Sequence, residues 1–346
     1  MNMSVRDVII IGAGPSGLSA AIAAKKRGLD YLVLEQGVLV NSIFHFPPQM
    51  VFFTTPELLE IGGLPFVSPF DKPTRAEALK YYRKVVDNYD LQISFEEKVL
   101  SVELRAGGEE RVFAIETESA SGVRRVLHAR NVVMAIGYYD HPVLIRVPGE
   151  DLPHVKHYYA EPHPHYRQRV VIVGGGNSAA ESALEMFRAG VHVTVVHRAP
   201  TLKSTIKFWV RPDIENRIKE GSVAARFGTV VKEIRPRSIV LQGCTGAPDF
   251  QPSGPEEELP ADAVYLLTGY RADAALLRRA GVTLNERDAP VHDPETFETN
   301  VSGLFVAGGA IAGVDTGTIF IENGRFHGET IITTLAARLH PTSSSA

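Results

Sequence analysis

The chain has little of what defines several large classes of protein. Its 346 residues include one cysteine, Cys244, so the chain forms no internal disulfide and cannot cycle as a dithiol. This cysteine usage suits a reducing compartment, and we expect the cytoplasm. No run approaches the roughly 20 apolar residues of a membrane span, and we expect no signal peptide. The net charge of −4 gives no electrostatic basis for binding nucleic acid or an anionic membrane.

The chain does contain two glycine-rich turns, each placed after a short apolar run. The first is GAGPSG at residues 12–17, and the second is GGGNSA at residues 174–179. In such a turn the first glycine allows a sharp bend, the second lets the backbone approach a pyrophosphate, and the third position lets helix and strand pack closely. The pyrophosphate lies at the helix N-terminus, where unpaired N–H groups favour negative charge. Each turn therefore predicts a dinucleotide site.

The two turns differ in the residues that end the next predicted strand. At the same distance from its first glycine, the first unit has Glu35 and the second has His197 followed by Arg198. A carboxylate at this point accepts hydrogen bonds from ribose hydroxyls, whereas an arginine favours a 2′-phosphate. We therefore predict FAD in the first unit and NADPH in the second. Lys203 is either a second cation for the phosphate or a surface lysine, and His197 contacts the adenine or the phosphate, or simply ends its strand.

The order of predicted elements occurs twice along the chain. Each copy has a strand, a glycine-rich turn, a helix, a strand, alternating strands and a buried strand that ends in glycine. The repeat predicts an α/β protein with two Rossmann-like three-layer nucleotide-binding domains. Because residues 300–339 have no counterpart in the second copy, we expect them to fold back onto the first domain. The NADPH-binding domain, 141–270, is then inserted in an FAD-binding domain, 1–140 and 271–346.

Local patterns set the expected limits of several elements. Alternation predicts three antiparallel strands between residues 99 and 129, followed by a separate buried strand over 131–136. Glycine and proline in 243–255 favour an exposed loop. The small polar tail at 341–346 is expected to be disordered.

Several longer motifs resemble one family of flavoproteins. The double fingerprint, with its second copy leading into Glu181 and the His-Arg pair, resembles the two-domain reductases related to low-molecular-weight thioredoxin reductase. Four further segments narrow the resemblance to the bacillithiol disulfide reductase family: NSI at 41–43, FFT at 52–54, WVRPDIE at 209–215 and TIFIENGRFHG at 318–328. The similarity spans nearly the whole chain. It implies an FAD-containing, NADPH-dependent reductase, expected as a homodimer or homotetramer, that acts on a low-molecular-weight thiol disulfide.

Two departures from this pattern concern the electron acceptor. The family usually has a cysteine, a candidate redox-active residue, where this chain has Ser16. A hydroxyl is a far weaker nucleophile and cannot form a mixed disulfide. Thioredoxin reductases also carry a Cys-x-x-Cys in the second domain, and this chain has none. We expect Cys244 to be incidental and assign no catalytic residue, so electrons would pass to the substrate directly or through the thiols of a partner.

The fingerprints and the resemblance together imply two sets of nucleotide contacts. Related flavoproteins place an aspartate where this chain has Gly309, and Asp315 is a candidate replacement. A helix beginning near Thr318 would direct its N–H groups at the flavin, or serve only for packing. The expected FAD contacts are Gly12, Gly14, Pro15, Ser16, Gly17, Glu35, Gln36, Asn41, Ser42, Thr54, Val99, Gly137, Gly309, Asp315, Thr318 and Ile319. The expected NADPH contacts are Gly174, Gly176, Asn177, Ser178, Glu181 (a candidate nicotinamide contact), His197, Arg198, Lys203 and Gly269.

A cluster of histidines, His154, His157, His163 and His165, does not match a metal site. Neighbouring prolines interrupt any regular element, so we expect linker structure, or a proton donor or substrate contact, and no metal. Two other classes of function stay open. One is an NADP reductase for a carrier protein such as ferredoxin, flavodoxin or a thioredoxin-like partner. The other is a flavin monooxygenase or an NADPH sensor.

Overall fold

The computed structural model describes residues 5–107 and 110–339, which form two compact units. One contains the described residues up to His141 and those from Tyr270 onward, and the other is Pro142–Gly269. The second unit is therefore inserted in the chain of the first. The predicted tail at 341–346 lies outside the described residues. Across the described ranges, no helix has both the length and the apolar character needed to cross a bilayer.

Strands and helices alternate in both units, which confirms the predicted α/β fold class. The strands, in chain order, are β1 (Val5–Ile11), β2 (Tyr31–Leu34), β3 (Ile93–Ser94), β4 (Glu97–Gly107), β5 (Glu110–Ser119), β6 (Arg124–Met134), β7 (Val155–Lys156), β8 (Arg169–Val173), β9 (His192–His197), β10 (Ala224–Phe227), β11 (Thr229–Arg235), β12 (Ser238–Cys244), β13 (Pro252–Pro260), β14 (Ala263–Leu266) and β15 (Leu304–Val306). The α-helices are α1 (Pro15–Lys26), α2 (Asn41–Phe44), α3 (Arg75–Tyr89), α4 (Asn177–Arg188), α5 (Arg211–Lys219), α6 (Ala274–Arg279), α7 (Ile321–Gly324) and α8 (His327–Leu339). Short 3₁₀ turns lie at Pro56–Leu59, His163–His165 and Gly308–Ala312.

One strand of the first unit, β6, pairs with three others, two of them in parallel and one antiparallel. Its C-terminal part lies in a parallel sheet of order β3-β2-β1-β6, with β15 parallel on its other side. Its N-terminal part pairs antiparallel with β5, which pairs with β4. The prediction of a strand ending at 129 and a separate strand over 131–136 is therefore wrong. The strand is continuous because its pairing with β1, from His128 to Met134, overlaps its pairing with β5, from Arg124 to Ala129. The polar Asn131 lies inside this strand, and its Nδ2 donates to the Asp7 carbonyl at 3.0 Å.

Helix α1 packs closely against the C-terminal helix α8. Every residue of α1 from Gly17 to Ala24 is buried, and most have small side chains, so a second helix can approach. A Cβ at Gly328 of α8 would lie only 2.3 Å from the Ala20 nitrogen. Because β15 also joins the sheet of the first unit, the segment 300–339 folds onto this unit, as its missing counterpart in the repeat predicts.

The second unit contains a parallel sheet and a separate antiparallel one. The parallel sheet has the order β10-β9-β8-β14-β7, and the antiparallel sheet has the order β11-β12-β13. Strand β13 begins at Pro252, so the exposed loop expected over 243–255 is shorter than predicted. Strand β13 is held by its antiparallel pairing with β12, and its three glutamates at 256–258 form exposed ion pairs with Lys232, Arg226 and Arg235. Because nearly every residue of β13 is exposed, the strand has no apolar alternation for the sequence to reveal.

A buried carboxylate stabilises the start of the β4–β6 meander. Glu97 is 4% exposed; it accepts two hydrogen bonds from the Arg125 guanidinium, one from Ser94 and one from Thr117. Burial alone would raise the pKa of Glu97, but these donors outweigh it and lower the pKa to about 2. The Glu97 N–H also donates to the Glu35 carbonyl at 2.8 Å, so this network adjoins the end of β2.

Replacing Glu97 with glutamine is expected to lower the free energy of unfolding by about 2 kcal/mol at pH 7, because it removes charge-assisted hydrogen bonds. The folded pKa lies below the ordinary value of 4.5, so the ionised group stabilises the fold above that value. This contribution is lost as the pH falls from 4.5 towards 2. Denaturant unfolding at pH 7 and pH 3 measures it. The difference between wild type and Glu97→Gln should shrink at pH 3, while exposed Glu103→Gln should have little effect; an unchanged difference would contradict the assignment.

Candidate nucleotide-binding sites

The first candidate site lies at the carboxyl edge of the parallel strands in the first unit. In the register of these strands, Ile11 pairs with both Leu34 and Met134, and Met134 pairs with Val306. The residues that follow these strand ends therefore share one edge of the sheet, where open α/β sheets bind their ligands. Among the predicted FAD contacts, this edge brings together Gly12, Glu35, Gly137 and Gly309.

The first glycine-rich turn leaves no room for side chains at two positions and open space at a third. Gly12 has φ +107°, and a Cβ there would lie 2.4 Å from the Ala135 carbonyl oxygen. A Cβ at Gly17 would lie 1.9 Å from the Gly12 oxygen, whereas one at Gly14 would meet no atom within 4 Å. The open backbone at Gly14 stands directly before Pro15, the first residue of α1. This shape fits the pyrophosphate of an FAD at the helix N-terminus.

Glu35 ties the end of β2 to this turn. Its Oε2 accepts from the Ala13 N–H at 2.8 Å, and its Oε1 accepts from the Gly37 N–H at 2.9 Å. Burial raises the pKa of Glu35, and the two N–H groups partly offset that rise. A carboxylate has about four lone-pair sites, so Glu35 can hold the turn and still accept a hydrogen bond from a ribose hydroxyl.

Other predicted FAD contacts surround an acidic residue that the sequence pattern does not single out. Gln36 Nε2 and Asn41 Nδ2 donate to the two carboxylate oxygens of Asp140, at 2.9 and 3.3 Å. Ser42 follows in α2. Thr54 is buried before the first 3₁₀ turn, and Val99 is buried in β4.

The C-terminal segment places Gly309 and Asp315 in different surroundings. A Cβ at Gly309 would lie 2.6 Å from the Tyr138 ring, so an aromatic ring fills the space where related flavoproteins have an aspartate. Asp315 is half exposed and pairs with Arg287 at 3.4 Å. Its role as the replacement aspartate stays a prediction.

The helix expected near Thr318 begins instead at Ile321 and has four residues. The Asn323 side chain donates to the Thr318 carbonyl at 3.0 Å and accepts from the Phe320 N–H at 2.9 Å. These bonds hold the preceding residues, including Ile319, in a loop. The predicted starting point is therefore wrong, because a local side-chain contact takes the place of the first helical turn.

Ser16, at the start of α1, faces this C-terminal segment. Its Oγ donates to the Gly324 carbonyl at 3.0 Å, and Ser19, one turn later, donates to the Arg325 carbonyl at 2.6 Å. A Cβ at Gly308 would lie 2.3 Å from the Ser16 Oγ. Glycine at 308 therefore makes room for the side chain at position 16, whichever residue occupies it.

The second candidate site repeats the strand-end arrangement in the other unit. Val173 of β8 pairs with Val196 of β9 and with Leu266 of β14. Gly174, which follows Val173, has φ +156°, and a Cβ there would lie 2.5 Å from the Leu267 oxygen. Helix α4 then starts in the fingerprint itself, with Gly176 as its N-cap and Asn177 and Ser178 in its first turn. Gly269, the last predicted contact, has φ +110°.

His197 packs under this second turn. The ring is buried, and a Cβ at Gly175 would lie 2.4 Å from its Nε2. Burial lowers the pKa of His197, and the charges of Lys203 and Arg198 lower it further. The imidazole is therefore neutral near pH 7 and supports the glycine backbone, while its predicted contact with adenine or phosphate stays a prediction.

The cationic side chains of the site are exposed around the turn. Arg198 and Lys203 are both exposed, and the Lys203 N–H donates to the Gly175 carbonyl at 2.9 Å. Glu181, the predicted nicotinamide contact, forms an ion pair with Lys207 at 2.5 Å. The Lys207 N–H donates to Asn177 Oδ1 at 2.8 Å.

Sequence reasoning overlooked several residues around the two sites. They are Tyr138 and Asp140 in the first unit, and Lys207 and Phe250 in the second. Lys207 carried a signal, because it lies four residues after Lys203 in a basic and aromatic stretch. The other three are brought in by the fold, and no local pattern marks them.

Within the histidine cluster, the His165 ring has two side-chain partners. His165 is hydrogen-bonded to Gln168 at 2.9 Å and to the Tyr265 hydroxyl at 2.8 Å. In the part of the chain that the structure describes, no group of three or more His, Cys, Asp or Glu side chains could hold a metal ion.

Comparisons with known proteins agree with this architecture. Residues 9–308 match the family described as pyridine nucleotide-disulphide oxidoreductase. The bacilliredoxin reductase Bdr of Bacillus subtilis is 40% identical over 97% of this chain and 99% of its own length. The ferredoxin–NADP reductase of Ignicoccus hospitalis is 26% identical over 88% of this chain and 90% of its own.

Solved structures lead to the same family. The bacillithiol disulfide reductase Bdr of Bacillus cereus has a TM-score of 0.90 and 38% identity, covering 97% of this chain and 100% of that one. The thioredoxin reductase of T. acidophilum has a TM-score of 0.71 at 23% identity, covering 96% of this chain and 98% of that one, and shares the fold. The chain therefore belongs to the pyridine nucleotide-disulphide oxidoreductases and, within them, to the family of the Bdr reductases, as the sequence resemblance implies.

Proposed function

We propose that this protein is an NADPH-dependent, FAD-containing reductase of a low-molecular-weight thiol disulfide, with bacillithiol disulfide as its substrate. The observation that carries the proposal is the pair of glycine-rich turns, whose adjacent strands are followed by side chains of opposite charge. A buried carboxylate follows the first turn, and an exposed arginine follows the second. Membership of the Bdr family supports the choice of substrate. We further propose a cytoplasmic location, since one cysteine suits a reducing compartment. The family resemblance also supports a homodimer or homotetramer.

In this proposal each unit holds one nucleotide. Glu35 and the turn at Gly14 would hold FAD, whose chemistry is to take a hydride from NADPH and to reduce an acceptor. Arg198 and Lys203 would bind the 2′-phosphate of NADPH, and the start of α4 would bind its pyrophosphate. The overall reaction converts NADPH, one proton and a disulfide into NADP⁺ and two thiols.

The chain brings no dithiol of its own to this reaction. Its cysteine, Cys244, lies at the end of β12, and its Sγ–H donates to the Arg198 carbonyl at 3.3 Å. Burial raises the pKa of Cys244, which disfavours the reactive thiolate. Ser16 cannot form a mixed disulfide either. The acceptor would therefore receive electrons directly from the flavin, or through the thiols of a partner.

A second candidate function is an NADP reductase for a carrier protein. The serine at position 16 favours it, because reduction of an iron–sulfur, flavin or thioredoxin-like carrier places no demand on a thiol there. The similarity to the ferredoxin–NADP reductase of Ignicoccus hospitalis, at 26% identity, extends over most of both chains.

We expect the FAD-loaded protein to consume NADPH when bacillithiol disulfide is the acceptor. Consumption should be much slower with other small disulfides, ferredoxin, flavodoxin or a thioredoxin-like protein. NADH should be a poor donor, because it lacks the 2′-phosphate. The assay follows NADPH absorbance with each acceptor at equal concentration. Rapid turnover with a carrier and none with bacillithiol disulfide would replace the first proposal with the second.

A Ser16→Cys substitution is expected to raise kcat/KM for bacillithiol disulfide about tenfold or more, because a thiolate can attack a disulfide sulfur and a hydroxyl cannot. Reduction of an artificial dye by NADPH should be unaffected, since it needs no thiol. Ser19→Cys is the matched control: it adds a thiol to the same helix, beside the next carbonyl of the same segment, and should give no gain. Equal rates for wild type and Ser16→Cys would show that the missing thiol does not limit the reaction.

A further inference from the structure

The loop between β12 and β13 reaches back to the arginine at the end of β9. The Phe250 ring centroid lies 4.7 Å from Arg198 Cζ, so the guanidinium stacks on the aromatic face. At the start of the same loop, the Cys244 Sγ–H donates to the Arg198 carbonyl at 3.3 Å. The loop thus contacts both the backbone and the side chain of one residue.

Hydrogen bonds inside this loop fix the position of Phe250. The Thr245 N–H donates to the Gln251 carbonyl at 2.9 Å, and the Gln251 N–H donates to the Thr245 Oγ1 at 2.9 Å. The Phe250 N–H donates to the Gly246 carbonyl at 3.4 Å. Phe250 itself has φ +47°, a conformation that bulky residues rarely adopt. The loop therefore fixes the backbone position from which the ring reaches Arg198.

Stacking on Phe250 leaves the guanidinium of Arg198 available for a ligand. In the described ranges, Arg198 forms no ion pair with a carboxylate. A guanidinium is planar, with its N–H donors on the edge and not on the faces, so it can stack and bind a phosphate at the same time. A stacked arginine also has less side-chain entropy to lose when a ligand binds.

We propose that Phe250 is a positioning residue that holds Arg198 ready for the 2′-phosphate, and that it thereby strengthens the preference for NADPH over NADH that Arg198 provides. This inference rests on the proposed NADPH site at Arg198. It gives Phe250 a part in selecting the nucleotide, although this residue lies in the β12–β13 loop, far from the fingerprint in the sequence.

Calorimetric binding of 2′,5′-ADP and of 5′-ADP to the FAD-loaded protein tests the inference without turnover. Phe250→Leu keeps an apolar side chain but removes the aromatic face, and it should weaken 2′,5′-ADP binding about two- to fivefold, the effect of losing an exposed cation–π contact. Binding of 5′-ADP, which has no 2′-phosphate, should be unchanged. Phe250→Tyr keeps the ring and should bind both nucleotides as wild type does. Equal or tighter 2′,5′-ADP binding by Phe250→Leu would overturn the inference.

An Arg198→Gln variant separates this inference from the proposed site. It should weaken 2′,5′-ADP binding strongly and abolish any further effect of Phe250→Leu in the double variant, since the ring acts through the arginine. If Arg198→Gln binds 2′,5′-ADP as wild type does, the proposed NADPH site is wrong. If Arg198→Gln weakens binding but Phe250→Leu does not, the site stands and the role of Phe250 is refuted. A loss from Phe250→Leu that persists in the Arg198→Gln background would also refute it.

Discussion

The parallel register of strands is the constraint on which both candidate sites depend. In each unit a buried apolar strand pairs in parallel with its neighbours, so that several strand ends reach the same edge of the sheet. A glycine-rich turn follows one of these ends, and a helix starts within the turn. The pairing therefore creates an anion-binding helix N-terminus and places a chosen side chain from the adjacent strand beside it.

The adjacent side chains give the two edges different electrostatics. Glu35 is buried, and two backbone N–H groups of its own unit hold its carboxylate. Arg198 is exposed and stacks on the Phe250 ring. His197 is the last residue of β9 and directly precedes the arginine. It contributes packing instead of charge, since burial and nearby cations lower its pKa. In the proposed function, the same architecture would offer an acceptor to a ribose in one unit and a cation to a phosphate in the other.

Ser16 shows how a site can depend on residues distant in the sequence. Its hydroxyl donates to the Gly324 carbonyl. It also lies so close to Gly308 that a Cβ at that position would clash with it. Both glycines are in the C-terminal segment that returns to the first unit through β15 and α8. Position 16 thus contacts residues from 300–339, the end of the described chain, although its fingerprint lies at 12–17, near the beginning.

The sequence alone determined the two dinucleotide turns, the α/β class and the return of the C-terminal segment. Their signals are glycine spacing, apolar periodicity and an incomplete repeat, all of which can be seen in the linear sequence. Tertiary structure decided the continuity of β6, which depends on its overlapping pairings with β1 and β5. It also decided β13, an exposed strand that has no apolar pattern and is held by its pairing with β12. The contacts of Asp140, Tyr138 and Phe250 belong to the same class. They join residues from separate segments, and a linear pattern carries no information about such contacts until the chain has folded.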